Sequence, residues 1–322
     1  MRAIGLAIGL IISIVSCAGQ RPGLTSGGQN GTTKIPRQLV YEREVSGRVL
    51  AYDLQRPSGA VTDALGNIYL SDTGNHRVIK LDRDLIPLKD YGGYGNGVGK
   101  FINPEDIIID RALNVYVLDT GNRRVVHLDA NLNYVEEIIP QDDPEEIISN
   151  AAKLSGLQIS ALGEITVADY DNSRLIRLDN FNRFSRYIGD FGYGHGALLN
   201  PLGLAVDAKG QLYVADAGNG RVAVYDDYGN YLRDIGADSL VRPSAVTVSP
   251  YGTIWVADQG SQSVYAFSPS GVMLLHLGGP GRDDYHFRDI EAIAVSLDGQ
   301  LILADSGNDR IMIYTIVYEA DR

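Results

Sequence analysis

The chain has 322 residues, with 28 lysine and arginine side chains against 40 aspartate and glutamate side chains, which gives a formal net charge of −12 at pH 7. This acidic balance argues against nucleic acid as a partner, because binding nucleic acid relies on clustered Lys and Arg. The single cysteine, Cys17, excludes an intrachain disulfide.

Residues 1–16 have the pattern of a cleavable export signal. Arg2 precedes an apolar run that ends at Val15, and this run is too short for a transmembrane helix, which needs about 20 residues. The sequence Ile-Val-Ser-Cys that ends at Cys17 resembles the lipobox of bacterial lipoproteins. That resemblance implies a lipid on Cys17, and Ala18 in place of Asp implies the outer membrane or the cell surface. An ordinary secretory signal is the alternative.

Residues 17–36 are polar, glycine-rich and without a periodic pattern, which is typical of a flexible tether. Residues 37–322 are predicted to form the folded domain. Two strand-like runs open this domain, Leu39–Val45 and Val49–Leu54.

A motif then recurs six times: a short apolar run ends in Asp, a tight turn follows and, in five copies, an Arg comes after the turn. The motif residues are Asp72, Asp119, Asp169, Asp216, Asp258 and Asp305, with Arg77, Arg124, Arg174, Arg221 and Arg310. Successive aspartates are 47, 50, 47, 42 and 47 residues apart, a period typical of repeat architectures. Each repeat contains four strand-like runs, which is the unit of a β-propeller blade. The sequence therefore predicts an all-β, six-bladed propeller.

The second strand of each repeat has apolar or aromatic residues on both faces, as in 212–214, Leu-Tyr-Val. Such strands must be covered on both sides by neighbouring sheets. Only eight residues follow Tyr314, too few for a turn and a fourth strand. We therefore expect one of the two N-terminal runs to complete the last blade and so remove an exposed sheet edge.

One insertion interrupts the repeats, at 143–154. Asp143 is a possible N-cap, Pro144 fits the first helical position and Glu146 follows three residues after the cap. This pattern predicts a short helix between the second and third repeats.

The Pro-to-Asp-to-Arg pattern resembles the NHL repeat, and glycine-rich links such as G-G-Y-G-N-G-V-G-K-F-I-N-P at 92–104 are similar to the segments between NHL repeats. The resemblance covers roughly residues 55–314. It implies a six-bladed propeller that serves chiefly as a binding platform for proteins, RNA or small ligands. Fold follows from it more firmly than activity.

The shared motif residues have a sufficient structural explanation, since Asp can accept hydrogen bonds at a turn and Arg can bond carboxylates and carbonyl groups. Residues that differ between equivalent positions are better candidates for a ligand site. One such set comes directly before each Arg position: His76, Arg123, Ser173, Gly220, Gln262 and Asp309. A second set lies at the starts of the first strands: Ser58, Glu105, Asp106, Leu202, Arg242, Ser244 and Glu291. The fifth repeat departs most from the pattern, because Ser263 replaces the Arg.

Enzyme activity is the weaker interpretation. The five histidines, His76, His127, His195, His276 and His286, show no close ligand spacing for zinc. A calcium-dependent lactonase similar to the gluconolactonase propellers is conceivable, with Glu105, Asp106, Asp289 and Glu291 as oxygen ligands. No nucleophile elbow of the G-x-S-x-G type is present in the sequence.

The sequence thus favours an exported, lipid-anchored propeller that acts as a binding platform in the cell envelope. The expected partner is an envelope protein or an extracellular polymer, with no nucleic acid, no catalytic residue, no metal and no cofactor, and we expect a monomer. The alternative is a metal-dependent hydrolase or lactonase, with Ca²⁺ at the mouth of the axial channel.

Overall fold

The computed structural model describes residues 34–140 and 153–319. These residues form six antiparallel sheets of four strands each, so the predicted all-β, six-bladed propeller is confirmed. The predicted signal, Cys17, most of the tether and most of the predicted helix lie outside the described residues. Within the described ranges, no helix has the length and hydropathy that crossing a bilayer requires.

The strands follow the sequence repeat, and each blade runs from its innermost to its outermost strand. Blade 1 contains Pro57–Thr62, Ile68–Asp72, Arg77–Leu81 and Pro87–Gly92, and blade 2 contains Pro104–Ile109, Val115–Asp119, Arg124–Leu128 and Tyr134–Ile138. Blade 3 contains Leu154–Ile159, Ile165–Asp169, Arg174–Leu178 and Phe184–Ile188, and blade 4 contains Pro201–Val206, Leu212–Asp216, Arg221–Tyr225 and Tyr231–Ile235. Blade 5 contains Pro243–Val248, Ile254–Asp258, Ser263–Phe267 and Met273–Gly278, and blade 6 contains Ile290–Val295, Gln300–Asp305, Arg310–Tyr318 and Pro36–Ser46.

The second strands are buried on both faces, as their composition predicts. In blade 4 every residue of Leu212–Asp216 is buried. Tyr213 packs with residues of blade 5, whereas Val214 packs with residues of blade 3. Burial of apolar surface on both sides of each sheet therefore holds neighbouring blades together.

The N-terminal strand closes the ring. Pro36–Ser46 pairs with Arg310–Tyr318 in antiparallel register and becomes the outermost strand of blade 6. The closure expected from the run Leu39–Val45 is thus confirmed. This strand also supplies Glu44, whose carboxylate lies 3.1 Å from Nη1 of Arg310.

In three other blades an acidic residue on the fourth strand pairs with the motif Arg, and it follows that Arg closely in sequence. These residues are Asp90 in blade 1, Glu137 in blade 2 and Asp234 in blade 4. Glu44 is their counterpart, although it is far away in sequence. The second N-terminal run does not join a blade. It contributes two short paired strands, Arg48–Val49 and Tyr52–Asp53.

Four motif aspartates, Asp72, Asp119, Asp216 and Asp305, each tie three segments together, as blade 1 shows. Asp72 is fully buried; its Oδ1 accepts a hydrogen bond from the backbone N–H of Gln55, and its Oδ2 accepts bonds from Asn75 Nδ2 and Arg77 Nε. The preceding link, the turn and the third strand are joined in this way. In four blades the turn is a short 3₁₀ helix: Thr73–Asn75, Thr120–Asn122, Ala217–Asn219 and Ser306–Asn308.

Candidate functional site

The first strands of adjacent blades contact each other around a central cavity of about 420 Å³. Each first strand begins opposite a motif Asp, as Pro57 does opposite Asp72 and Pro104 opposite Asp119. The starts of the first strands, the Asp turns and the links between blades therefore share one side of the ring, which we call the turn face. Tyr170 and Gln259, on the turns of blades 3 and 5, line the cavity and place its mouth on this face.

The second residues of the six first strands form a ring at this mouth, the mouth ring: Ser58, Glu105, Ser155, Leu202, Ser244 and Glu291. Its three serines donate hydrogen bonds of 2.6–2.7 Å to main-chain carbonyl oxygens of the following blade. The serines thus join blades. Glu105, Leu202 and Glu291 break this pattern, because their side chains make no such bond.

The two glutamates carry the electrostatics of the mouth ring. Burial raises the pKa of Glu105, and the ammonium group of Lys153, 3.3 Å away, opposes this rise. Burial and then repulsion from Glu105 raise the pKa of Glu291, while Lys153 and Arg56 lower it. Two carboxylates that repel each other at a cavity mouth attract a cation between them.

Asp106 lies one residue deeper than Glu105, where the other blades have Gly59, Gly156, Gly203, Ala245 and Ala292. Its Oδ2 accepts a hydrogen bond from the backbone N–H of Leu157 in blade 3, and its Oδ1 accepts one from Ile107. Burial raises the pKa of Asp106 to about 6 although both hydrogen bonds lower it. Asp106 therefore joins blades 2 and 3 and does not turn its oxygens to a ligand.

Below the mouth the wall of the cavity becomes apolar. Aliphatic first-strand side chains that line it there and remain partly exposed include Val61, Ile109, Val206 and Val248. The cavity is thus polar and charged at the turn face and aliphatic underneath. A ligand site of this volume with a few placed polar groups is the usual form of a small-molecule pocket.

Basic groups also reach the mouth. Lys153 and Arg242, the residues that precede the first strands of blades 3 and 5, both line the cavity. The ammonium group of Lys153 lies 5.6 Å from the ring centre of Tyr170, and Arg242 Nη1 donates a 2.7 Å hydrogen bond to Gln259 Oε1.

The second candidate set, the residues before each Arg position, lies outside the cavity lining, and we call it the turn ring. All six members have left-handed backbone, with φ of 55–62°. Four of them accept a hydrogen bond from the backbone N–H that precedes the next first strand: His76 from Asn103, Ser173 from Asn200, Gln262 from Asp289 and Asp309 from Arg56. Although their residue types differ, each of these four side chains joins its blade to the next one by a hydrogen bond.

The missing Arg of blade 5 has a structural reason. In blades 2, 4 and 6, Nη2 of the motif Arg donates to two carbonyl oxygens of the long link that enters the blade, such as Gly194 and Ala197 for Arg221. The link that enters blade 5 is shorter, 236–242 against 189–200 for blade 4. Blade 5 therefore has a shorter link than the one that the motif Arg bonds in blades 2, 4 and 6, and it has Ser263 in place of that Arg.

All seven residues of the second predicted set line the cavity: Ser58, Glu105, Asp106, Leu202, Arg242, Ser244 and Glu291. The sequence-based prediction missed Lys153, Tyr170 and Gln259. Lys153 could have been found by aligning the repeats, since it occupies the same position before the first strand as Arg242. It was not considered because it fell within the helix predicted at 143–154.

The histidines do not meet at the cavity. His76 contacts Tyr94 edge-on, His127 and His276 stack on Tyr116 and Tyr265, and the others pair with acidic side chains. Among residues 34–140 and 153–319, no three His, Cys, Asp or Glu side chains are grouped closely enough to hold a metal ion. The four acids considered for calcium are therefore not gathered into one coordination site.

Two segments, 54–81 and 198–225, match the family model of the NHL repeat. Two blades of the propeller therefore match the NHL repeat. The matched segments contain the first three strands of blades 1 and 4, which agrees with the motif-based resemblance. No protein in a search of curated sequences matches this chain significantly.

Solved structures resemble this propeller in fold. A catalytically inactive His-to-Ala variant of virginiamycin B lyase from Staphylococcus aureus, bound to quinupristin, has 13% identity and a TM-score of 0.60, covering 86% of both chains. A luciferin-regenerating enzyme has 15% identity and a TM-score of 0.62, covering 87% of this chain and 98% of the enzyme. A protein of unknown function from Bacteroides thetaiotaomicron has 12% identity and a TM-score of 0.64, covering 85% of this chain and 73% of that protein. At these identities the likeness establishes the architecture alone.

Proposed function

We propose that this chain is an exported, lipid-anchored NHL propeller that acts as a binding platform in the cell envelope, with the mouth of the central cavity as its principal contact. The observation that carries the proposal is the mouth ring. Three of its positions are serines that join blades, whereas Glu105 and Glu291 are charged and line an open cavity. Glu291, which forms no hydrogen bond or ion pair with residues 34–140 or 153–319, is available to a ligand.

The links between blades add contact surface on the same face. Tyr94, Phe191 and Tyr193 lie in these links and are exposed by 68–75%. Exposed aromatic side chains are typical of protein interfaces, since they offer large contact areas with few rotatable bonds. An envelope protein or an extracellular polymer that covers the mouth would also meet these rings.

The membrane anchor in this proposal rests on the sequence that ends at Cys17. Cells that express the wild-type chain should incorporate labelled palmitate into it, and Cys17→Ser should abolish the label. A Cys17→Ser chain that is labelled normally would refute the anchor while leaving the binding platform open.

Structural neighbours that are enzymes keep the metal-dependent hydrolase as a second candidate, but the local geometry favours binding. Asp106 directs both oxygens to backbone N–H groups, and Glu105 is paired with Lys153. Only Glu291 of the mouth ring remains for a Ca²⁺ ion. Calcium titration followed by calorimetry tests this candidate, and a stoichiometric site lost in Glu291→Gln would favour it.

Affinity capture from envelope extract tests the platform. The full-length wild-type chain should retain a specific partner that the Glu105→Gln/Glu291→Gln variant loses. The control variant, Glu136→Gln/Arg183→Gln, changes exposed charges on outer strands and turns and should capture as the wild type does. An identical set of captured molecules from all three chains would overturn the role of the mouth.

A further inference from the structure

Among residues 34–140 and 153–319, Glu291 is the acidic group at the mouth for which no hydrogen bond or ion pair is found. Glu105 faces Lys153, and Asp106 accepts two backbone hydrogen bonds. Glu291 forms no hydrogen bond or ion pair with any residue of 34–140 or 153–319. A partly buried carboxylate without a partner has lost hydration that no protein group replaces.

The nearby cations are not arranged to satisfy it. Lys153 is held at Glu105, and Arg242 donates to Gln259. Arg56 influences Glu291 only through space, and its side chain is exposed to water, where its charge is screened. A cation that enters with a ligand would therefore be the first group to bond Glu291 directly.

The surface below Glu291 constrains the rest of such a ligand. Ala292 and Ile293 follow it along the first strand of blade 6 and line the same cavity, opposite the aliphatic residues of the other blades. An apolar body that continues from the cationic group would displace water from this wall. Charge at the mouth and aliphatic surface underneath match a single molecule with both properties.

We propose that the mouth binds an organic cation, an alkylammonium group that pairs with Glu291, on an apolar body that fills the aliphatic part of the cavity. The proposal rests on the mouth being the binding site of the platform. It names the chemistry of the ligand group and requires no covalent step.

Three probes of the same size and different charge test it: cyclohexylmethylamine, cyclohexylmethanol and cyclohexanecarboxylate. Isothermal titration of the full-length chain at pH 7 and low salt should show the amine binding about tenfold more tightly than the alcohol, because a hydrogen bond to a charged group contributes about 1.5 kcal/mol or more. The carboxylate should bind most weakly. Raising the salt concentration should weaken the amine more than the alcohol.

Variants assign the effect to one residue. Glu291→Gln should bring the amine to within about twofold of the alcohol while the alcohol is unaffected, whereas Glu136→Gln should change nothing. Glu105→Gln should reduce amine binding less, since Lys153 already compensates that charge. Unchanged urea unfolding of Glu291→Gln shows that the variant is folded.

Several results would overturn the cationic ligand: equal binding of the three probes, tighter binding of the carboxylate, no binding of any probe, or an amine preference that survives Glu291→Gln. Capture from envelope extract separates the two proposals. If the Glu105→Gln/Glu291→Gln variant loses a captured partner and any of these results is also obtained, the binding platform is supported and only the ammonium ligand is refuted.

Discussion

The turn ring and the mouth ring are two sets of equivalent positions, and in both the residue type changes from blade to blade. In the turn ring the backbone is left-handed throughout, and side chains as different as His76 and Asp309 accept a hydrogen bond from the same place in the next blade. In the mouth ring the serines join blades through hydrogen bonds to carbonyl oxygens and Glu105 pairs with Lys153 of blade 3, whereas Glu291 forms no such bond with residues 34–140 or 153–319. Variation of residue type therefore does not by itself indicate freedom for function. What distinguishes a structural position from a candidate binding position is whether its side chain still forms the bond that joins adjacent blades.

The strongest test of this comparison concerns the motif Asp on which each turn is built. Asp216→Ala leaves Arg221 buried without its inner partner and removes the acceptor of the Leu199 N–H and of Asn219. We expect a loss of about 3–5 kcal/mol in the free energy of unfolding, measured by urea denaturation. The control Asp234→Ala removes the outer, partly exposed partner of Arg221 and should cost about 1 kcal/mol or less. Equal losses would contradict the scaffold role of the motif.

Asp106 gives a test by pH at the mouth. Because its pKa in the folded chain is raised to about 6, the folded state binds more protons than the unfolded state between about pH 4 and pH 6. This residue therefore adds stability as the pH falls through that window, by up to about 3 kcal/mol.

The stability of Asp106→Asn should lack this contribution, so the difference between its curve and that of the wild type should change across the window and level off above about pH 7. Asp129 is the control with the opposite sign. Hydrogen bonds from Asn133 lower its pKa, so its small contribution is present above the ordinary pKa and is lost as the pH falls. Parallel curves for the wild type and Asp106→Asn would show that Asp106 is not strained by burial.

Gln262 tests the turn ring alone. Gln262→Ala removes the acceptor for the Asp289 N–H and should lower the free energy of unfolding by about 1 kcal/mol. Capture of the partner should be unaffected. Gln38→Ala, at an exposed position of the closing strand, should alter neither property; loss of capture in Gln262→Ala with unchanged stability would assign the turn ring to ligand binding.

A change at Glu291 should have the opposite effects to Gln262→Ala: it should impair capture of the partner and have the smallest effect on stability. Glu291→Gln should change the free energy of unfolding by no more than about 0.5 kcal/mol, since no hydrogen bond or ion pair with residues 34–140 or 153–319 is lost. Capture of the partner should fall. A large loss of stability in this variant would reveal a structural role in place of a binding role.

Much of the fold could be predicted because the same local pattern occurs six times. The positions of Asp72 and its equivalents located the turns, and the apolar faces of strands such as Leu212–Asp216 indicated sheets packed on both sides. The closing strand was also predictable, since too few residues follow Tyr314. That Glu44 would bond Arg310 was not predictable, because the two residues meet only when the ring is closed.

The candidate site was predicted in part. Glu105, Arg242 and Glu291 were identified by their irregularity, but the same reasoning selected His76 and Gln262, whose hydrogen bonds join blades. A sequence gives residue types and spacing, whereas the direction of a side chain depends on the neighbouring blade.

By itself, the sequence determined the number of blades, the turns and the strand that closes the ring, because these depend on local patterns and on the length of each repeat. The tertiary structure decided which irregular residues face a cavity. Lys153 pairs with Glu105 across blades 3 and 2, and Glu291 is left without a hydrogen bond or ion pair to residues 34–140 and 153–319. The physical reason is that the desolvation and pairing of charges at the mouth depend on groups from several blades, which only the closed ring brings together.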